Sequence, residues 1–248
     1  MILPRTKQKY ESNFGAYEIA GALYSHADIL KVFGRKNSSR KNVLLVDLNG
    51  HNKNAGKEFS EFLTKNICNG WGLNNNPEKE LSNLSRLISD YSWDPCGVYV
   101  QLESNKFSLV NAGLPYPLKV TKQGKVKEIK SFGNISLYQL ILHSPCYEDV
   151  LNKGDFLFLR TDGIDDGIDN ALGLKKCLAL TLNNKEMAVK QKQIINYRKK
   201  TICNLLIANS HETASNIVNN FVDTLGQYFI PKSSKDDDAS LIVIKRTK

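Results

Sequence analysis

The chain has 248 residues, with 34 Lys and Arg against 25 Asp and Glu for a formal net charge of +9. This permits an anionic partner, but the basic residues are spread over loops and one polar segment, so nucleic-acid binding is not indicated. Five cysteines (Cys68, Cys96, Cys146, Cys177, Cys203) form no C-x-x-C pair, which leaves a zinc site without ligands and points to free thiols in a reducing cytoplasm. No apolar window reaches the length of a membrane span, Met1 to Tyr10 has no apolar core, and no linker-like shift in composition divides the chain. A soluble cytoplasmic protein of one domain, 1–248, is the expectation.

In chain order, Tyr17, Ile19, Gly21 and Leu23 alternate as in a strand, and Ile29, Leu30, Val32 and Phe33 suggest a second. Val43 to Val46 is a short apolar run without helical period, and Asp47 lies at its end. Phe59, Phe62, Leu63 and Ile67 share one helical face. A second helix is expected from Pro77 to Tyr91, capped by Asn76, with Leu81, Leu84, Leu87, Ile88 and Tyr91 as its apolar stripe.

From Gly97 the period becomes two. Val98, Val100 and Leu102 alternate, the segment Glu103 to Lys106 turns, and Phe107, Leu109 and Asn111 follow. Leu118 to Thr121 and Val126 to Ile129 pair around Gln123 and Gly124, and Leu137 to Leu142 is a further strand candidate. Phe156 to Leu159 is apolar on both faces, as expected of a strand inside a covered sheet, and it runs into a T-D-G turn at Asp162. Such a meander with attached helices is of the α+β class.

Beyond that turn, residues 183–200 are polar and basic, with Lys185, Lys190, Lys192, Arg198, Lys199 and Lys200. The segment reads either as a partner-docking helix or as a solvated helical face. Ile217, Val218, Phe221, Val222 and Leu225 mark an amphipathic helix. At the end, Asp236, Asp237 and Asp238 lead directly into the apolar run Leu241 to Ile244.

Asp47, Asp162 and the Asp236 to Asp238 cluster are hard oxygen donors beside three separate strands, with no His or Cys grouping to compete; they suit magnesium or manganese. Four stretches then carry a family resemblance: D-L-N-G-H-N at Asp47 to Asn52, N-A-G-L-P-Y-P at Asn111 to Pro117, G-D followed by an apolar run and T-D-G at Gly154 to Gly163, and D-D-A-S before the last strand at Asp237 to Ser240. In this order they resemble the bacterial branch of the metal-dependent serine/threonine phosphatases, the type of sporulation stage II protein E and the stress-response regulators, related to the eukaryotic type 2C phosphatases. The resemblance runs from about Glu18 to Arg246.

It implies a sandwich of two antiparallel sheets flanked by helices, with two Mn2+ or Mg2+ ions at one edge. It further implies that Asp47, the backbone carbonyl of Leu48, Asp162 and Asp237 ligate the metals, with Glu18, Gly163 and Asp238 in support and His51 a candidate general acid. A water activated between two cations would then hydrolyse phosphoserine or phosphothreonine. By the same resemblance the substrate is a phosphoprotein, an anti-sigma-factor antagonist domain in a partner-switching pathway being one candidate; the spread of charge and the lack of an apolar span lead us to expect neither nucleic acid nor membrane as partner. Two acidic positions of the family's N-terminal motif are Ala22 and Ser25 here, which keeps open a pseudophosphatase acting as a regulatory binding module. Residues 183–207 resemble a basic helical insertion.

Overall fold

The computed structural model describes residues 8–14, 16–24, 28–34, 40–48, 53–68, 76–88, 95–130, 146–171, 184–229 and 238–248. The chain begins with four strands, β1 (Gln8–Phe14), β2 (Tyr17–Tyr24), β3 (Ile29–Phe33) and β4 (Arg40–Leu48), followed by helices α1 (Lys53–Cys68) and α2 (Pro77–Ile88). Strands β5 (Pro95–Glu103), β6 (Lys106–Ala112), β7 (Leu118–Val120), β8 (Val126–Glu128), β9 (Tyr147–Val150) and β10 (Phe156–Arg160) come next. Helices α3 (Asp162–Ala171), α4 (Asn184–Ala208) and α5 (Ala214–Phe229) precede the last strand, β11 (Ala239–Arg246).

Every pairing among the described residues is antiparallel. One sheet has the order β1-β2-β11-β10-β7-β8 and the other β3-β4-β5-β6-β9. Side-chain alternation along each strand sorts the apolar residues into three layers. Val43, Leu45, Val98 and Val100 of the second sheet meet Leu157, Leu159, Ile242 and Ile244 of the first in a core between the sheets. Phe156, Phe158, Leu241 and Val243 face outward onto Ile164 and Ile168 of α3, Ile202 and Leu206 of α4, and Phe221 of α5. On the other side, Leu44, Val46 and Tyr99 pack on Phe59 and Leu63 of α1 and Leu81, Leu84 and Ile88 of α2. The protein is therefore the expected α+β sandwich with helices on both outer faces, and β10 is apolar on both sides because both are covered.

Sequence expectation and structure differ at identifiable places. Asn76 does cap α2, its Oδ1 accepting the Lys79 N–H at 3.0 Å, but Leu87, expected in the apolar stripe, is exposed because it lies off the face made by Leu81, Leu84 and Ile88. The T-D-G turn opens a ten-residue helix, α3. Gly163 and Gly167 disfavour a helix by propensity; burial of Ile164 and Ile168, one turn apart, overrides them. The strand expected over Leu137 to Leu142 lies outside the described residues.

Candidate active site

The two sheets end in carboxylates at the same mouth. On β4, Val43 and Leu45 enter the core between the sheets while Leu44 and Val46 face the helices. Continuing that alternation puts Asp47 on the inter-sheet face at the end of the strand, where it is 7% exposed. Leu48 lies opposite Pro95 in register. Proline has no N–H, so that partner donates no hydrogen bond to the Leu48 carbonyl.

In the facing sheet, Leu157 and Leu159 point into the same core and Thr161 continues their face. The Thr161 N–H donates to the Ser240 carbonyl at 2.9 Å, and the Ser240 N–H donates back to Thr161 Oγ1 at 2.9 Å. This reciprocal pair locks the end of β10 to the start of β11, next to Asp238, which is 1% exposed. Asp162 follows as the first residue of α3 and is itself exposed. The packing there requires glycine at 163, since a Cβ would collide with the Asp238 carbonyl group, 2.6 Å from its carbon and 3.1 Å from Ala239 Cα. Gly163 thus lets α3 descend onto the backbone of Asp238, which sets where Asp162 stands.

Sequence reasoning passed over Asp28. It immediately precedes β3 and is 8% exposed. Thr161 Oγ1, having accepted the Ser240 N–H, has one proton to give, and its nearest acceptor is Asp28 Oδ2 at 3.2 Å. That bond ties the two sheets at the mouth; Tyr17 OH to the Ser104 carbonyl, 2.8 Å, ties them at the opposite end.

Behind Asp162, α3 is held by charge. Asp165 accepts Arg160 Nε at 2.7 Å and Arg198 Nη1 at 3.0 Å, and Asp169 accepts Arg198 Nε at 3.0 Å. Burial alone would push the Arg198 guanidinium down, but Asp169 and Asp165 together hold it above its ordinary value. Arg198 is therefore a clamp between α4 and α3 rather than a free surface charge, and Lys199 is engaged by Glu128 at 2.7 Å. The docking face expected on the basic segment is reduced accordingly. Lys190, Lys192 and Lys200 remain beside the exposed Val189, Ile195 and Tyr197.

The remaining expected site residues separate. Glu18 is not at this mouth: it lies opposite Lys245 in register, six residues back from the Tyr24 end of β2, and its Oε2 accepts the Ala214 N–H at 3.1 Å. Its structural work is to cap the start of α5. Asn111 closes the N-A-G-L-P turn, Nδ2 donating to the Leu114 carbonyl at 2.8 Å, with Gly113 at φ +84°. Ala22 is fully buried in the outward apolar layer with Leu241 and Ile164. Asp237, His51 and Ser25 lie outside the described residues, and among the described residues no three His, Cys, Asp or Glu side chains close a metal site. Asp28, Asp47, Asp162 and Asp238, all at strand or helix ends, offer only hard oxygen donors, the chemistry that fits a divalent cation such as Mg2+ or Mn2+.

Among the described residues no helix is long and apolar enough to cross a membrane. No curated protein matches the sequence. Among solved structures, the RsbU and RsbW domains of Rv1364c from Mycobacterium tuberculosis match at TM-score 0.66 and 17% identity, over 93% of this chain and 61% of that one. The SiaA-PP2C domain of Pseudomonas aeruginosa matches at 0.64 and 13%, over 93% and 84%. RsbX in complex with magnesium matches at 0.62 and 10%, over 97% and 100%. The family model described as "Stage II sporulation protein E (SpoIIE)" matches residues 39–247, and the chain accordingly belongs to the SpoIIE family of PP2C-type phosphatases.

Proposed function

We propose that this protein is a metal-dependent phosphatase of phosphoserine and phosphothreonine in proteins, using two Mn2+ or Mg2+ ions at the mouth between the sheets. The observation that carries this is the hydrogen bond from Thr161 Oγ1 to Asp28 Oδ2, which joins the Thr161 and Asp162 corner of one sheet to the edge of the sheet in which β4 ends at Asp47 and Leu48. Asp47, the Leu48 carbonyl, Asp162 and Asp237 would hold the cations. Bound there, the cations would supply Lewis acidity toward phosphoryl oxygens and an activated water at neutral pH.

The chain's own contribution is placement. The β4 strand fixes Asp47 from the second sheet, while the Thr161 and Ser240 pair and the Gly163 contact fix the corner that carries Asp162. Buried like charges at one mouth favour cation capture, because a divalent ion offsets their mutual repulsion. We further propose a partner-switching role in the cytoplasm, with a small anti-sigma-factor antagonist as the phosphoprotein substrate, a reading in keeping with the fold shared with a structure of RsbU and RsbW domains.

One observation favours a second reading, a pseudophosphatase. Position 22, acidic in the resembling motif, is here an alanine sealed in the outward apolar layer. Hydrolysis of p-nitrophenyl phosphate with and without Mn2+ decides between them. Mn2+-dependent turnover, reduced at least 100-fold in Asp162→Asn, is the expected outcome; turnover absent at every metal concentration establishes the pseudophosphatase.

A further inference from the structure

We propose that Asp28 is a further carboxylate of this metal centre, acting on the cation held by Asp47. The inference rests on the metal-centre reading above and extends it to a residue ahead of the family match, which begins at 39.

Register is the first support. β3 and β4 pair with Ile29 opposite Val46 and Leu30 opposite Leu45, each pair summing to 75, so the next step places Asp28 opposite Asp47. Alternation is the second. Leu30 and Val32 pack on the inter-sheet core with Val43 and Leu45, whereas Ile29 faces the helices with Leu44 and Val46. Asp28 and Asp47 therefore share the inter-sheet face, and Cβ atoms of directly opposed residues lie about 5 Å apart. The third support is the bond from Thr161 Oγ1 to Asp28 Oδ2, 3.2 Å, made by the residue that precedes Asp162.

Two carboxylates directly opposed across a ladder are unfavourable in themselves. At 8% and 7% exposure, water screens them little. A divalent cation between the sheets turns that repulsion into ligation, and Thr161 orients the Asp28 carboxylate by holding one oxygen.

The test is Asp28→Asn, which keeps shape and a hydrogen-bond acceptor for Thr161 but removes the charge. Mn2+ binding is measured by isothermal titration calorimetry, and thermal unfolding is followed with and without Mn2+. Metal affinity is expected to fall at least about 10-fold, since loss of a ligating charge should cost no less than loss of an outer partner. The Mn2+-induced rise in the unfolding midpoint is expected to shrink. Asp28→Ser, also uncharged, carries the same expectation should the Asn variant not fold. If the wild type binds Mn2+ and the variants bind within twofold of it, Asp28 only accepts the Thr161 hydrogen bond and the proposal is overturned. If the wild type binds no Mn2+, the metal-centre reading itself fails and takes this one with it.

Discussion

Replacing Arg198 by Met tests whether the basic helix holds α3 or merely decorates the surface. The substitution keeps most of the aliphatic bulk and removes both charge contacts, at 3.0 Å to Asp165 and 3.0 Å to Asp169. Asp165 retains Arg160 at 2.7 Å. Asp169 is 5% exposed and keeps no other basic partner among the described residues. Breaking a buried pair from one side costs about 3–5 kcal/mol, because the surviving charge is stranded. The Arg198 side chain is 22% exposed, so water reaches the site and the lower end, about 3 kcal/mol, applies. With a urea m-value of about 3 kcal/mol/M, the unfolding midpoint should fall by about 1 M. Adding Asp169→Asn removes the stranded charge and should recover at least about 1 kcal/mol of that loss. Urea unfolding followed by circular dichroism reads both. A midpoint shift below about 0.2 M, or a double variant no more stable than the single one, refutes the clamp.

Gly163→Ala forces a Cβ against backbone rather than a yielding side chain, so α3 must move; a cost of about 1–3 kcal/mol and an at least 10-fold loss of Mn2+-dependent turnover are expected. Wild-type turnover in that variant would disprove the close approach. At Asp149, burial pushes the carboxyl up, but the Val150 N–H, the Tyr147 hydroxyl and Lys119 outweigh it and hold the carboxyl down at about 2. A folded-state value below the unfolded one stabilises above the unfolded value and is lost as pH falls through the folded one. The shift, discounted for a quarter-exposed side chain, corresponds to about 1 kcal/mol. Asp149→Asn should therefore be less stable than wild type by that amount at pH 7, with the gap narrowing below pH 4 and closing near pH 2; a constant gap across this range contradicts the assignment.

Part of this protein is written locally. Period-two alternation over residues 98–102, 107–111 and 156–159, together with the helical stripes of α1 and α5, corresponds directly to the strands and helices observed, because burial on one face or both is a property of neighbouring residues. The same locality makes Asp47 and the Asp236 to Asp238 run visible as carboxylates at strand ends. Other features have no local signature. The α3 helix contains two glycines and forms through packing of Ile164 and Ile168 against sheet and helices. Glu18 and Arg198 look from the chain like an acidic candidate and a surface charge, yet one caps α5 and the other clamps α3.

Asp28 is the clearest case. Its sequence context, S-H-A-D ahead of an apolar run, is ordinary, and its meaning comes from Thr161, 133 residues away in sequence. The sequence by itself determined the strands, the helix faces, the α+β class and the order of the carboxylate motifs, all of which depend on spacing within a dozen residues. Only the tertiary structure brought Asp28 to Thr161 and took Glu18 to the start of α5, since antiparallel register and the contacts between two sheets are set by long-range pairing.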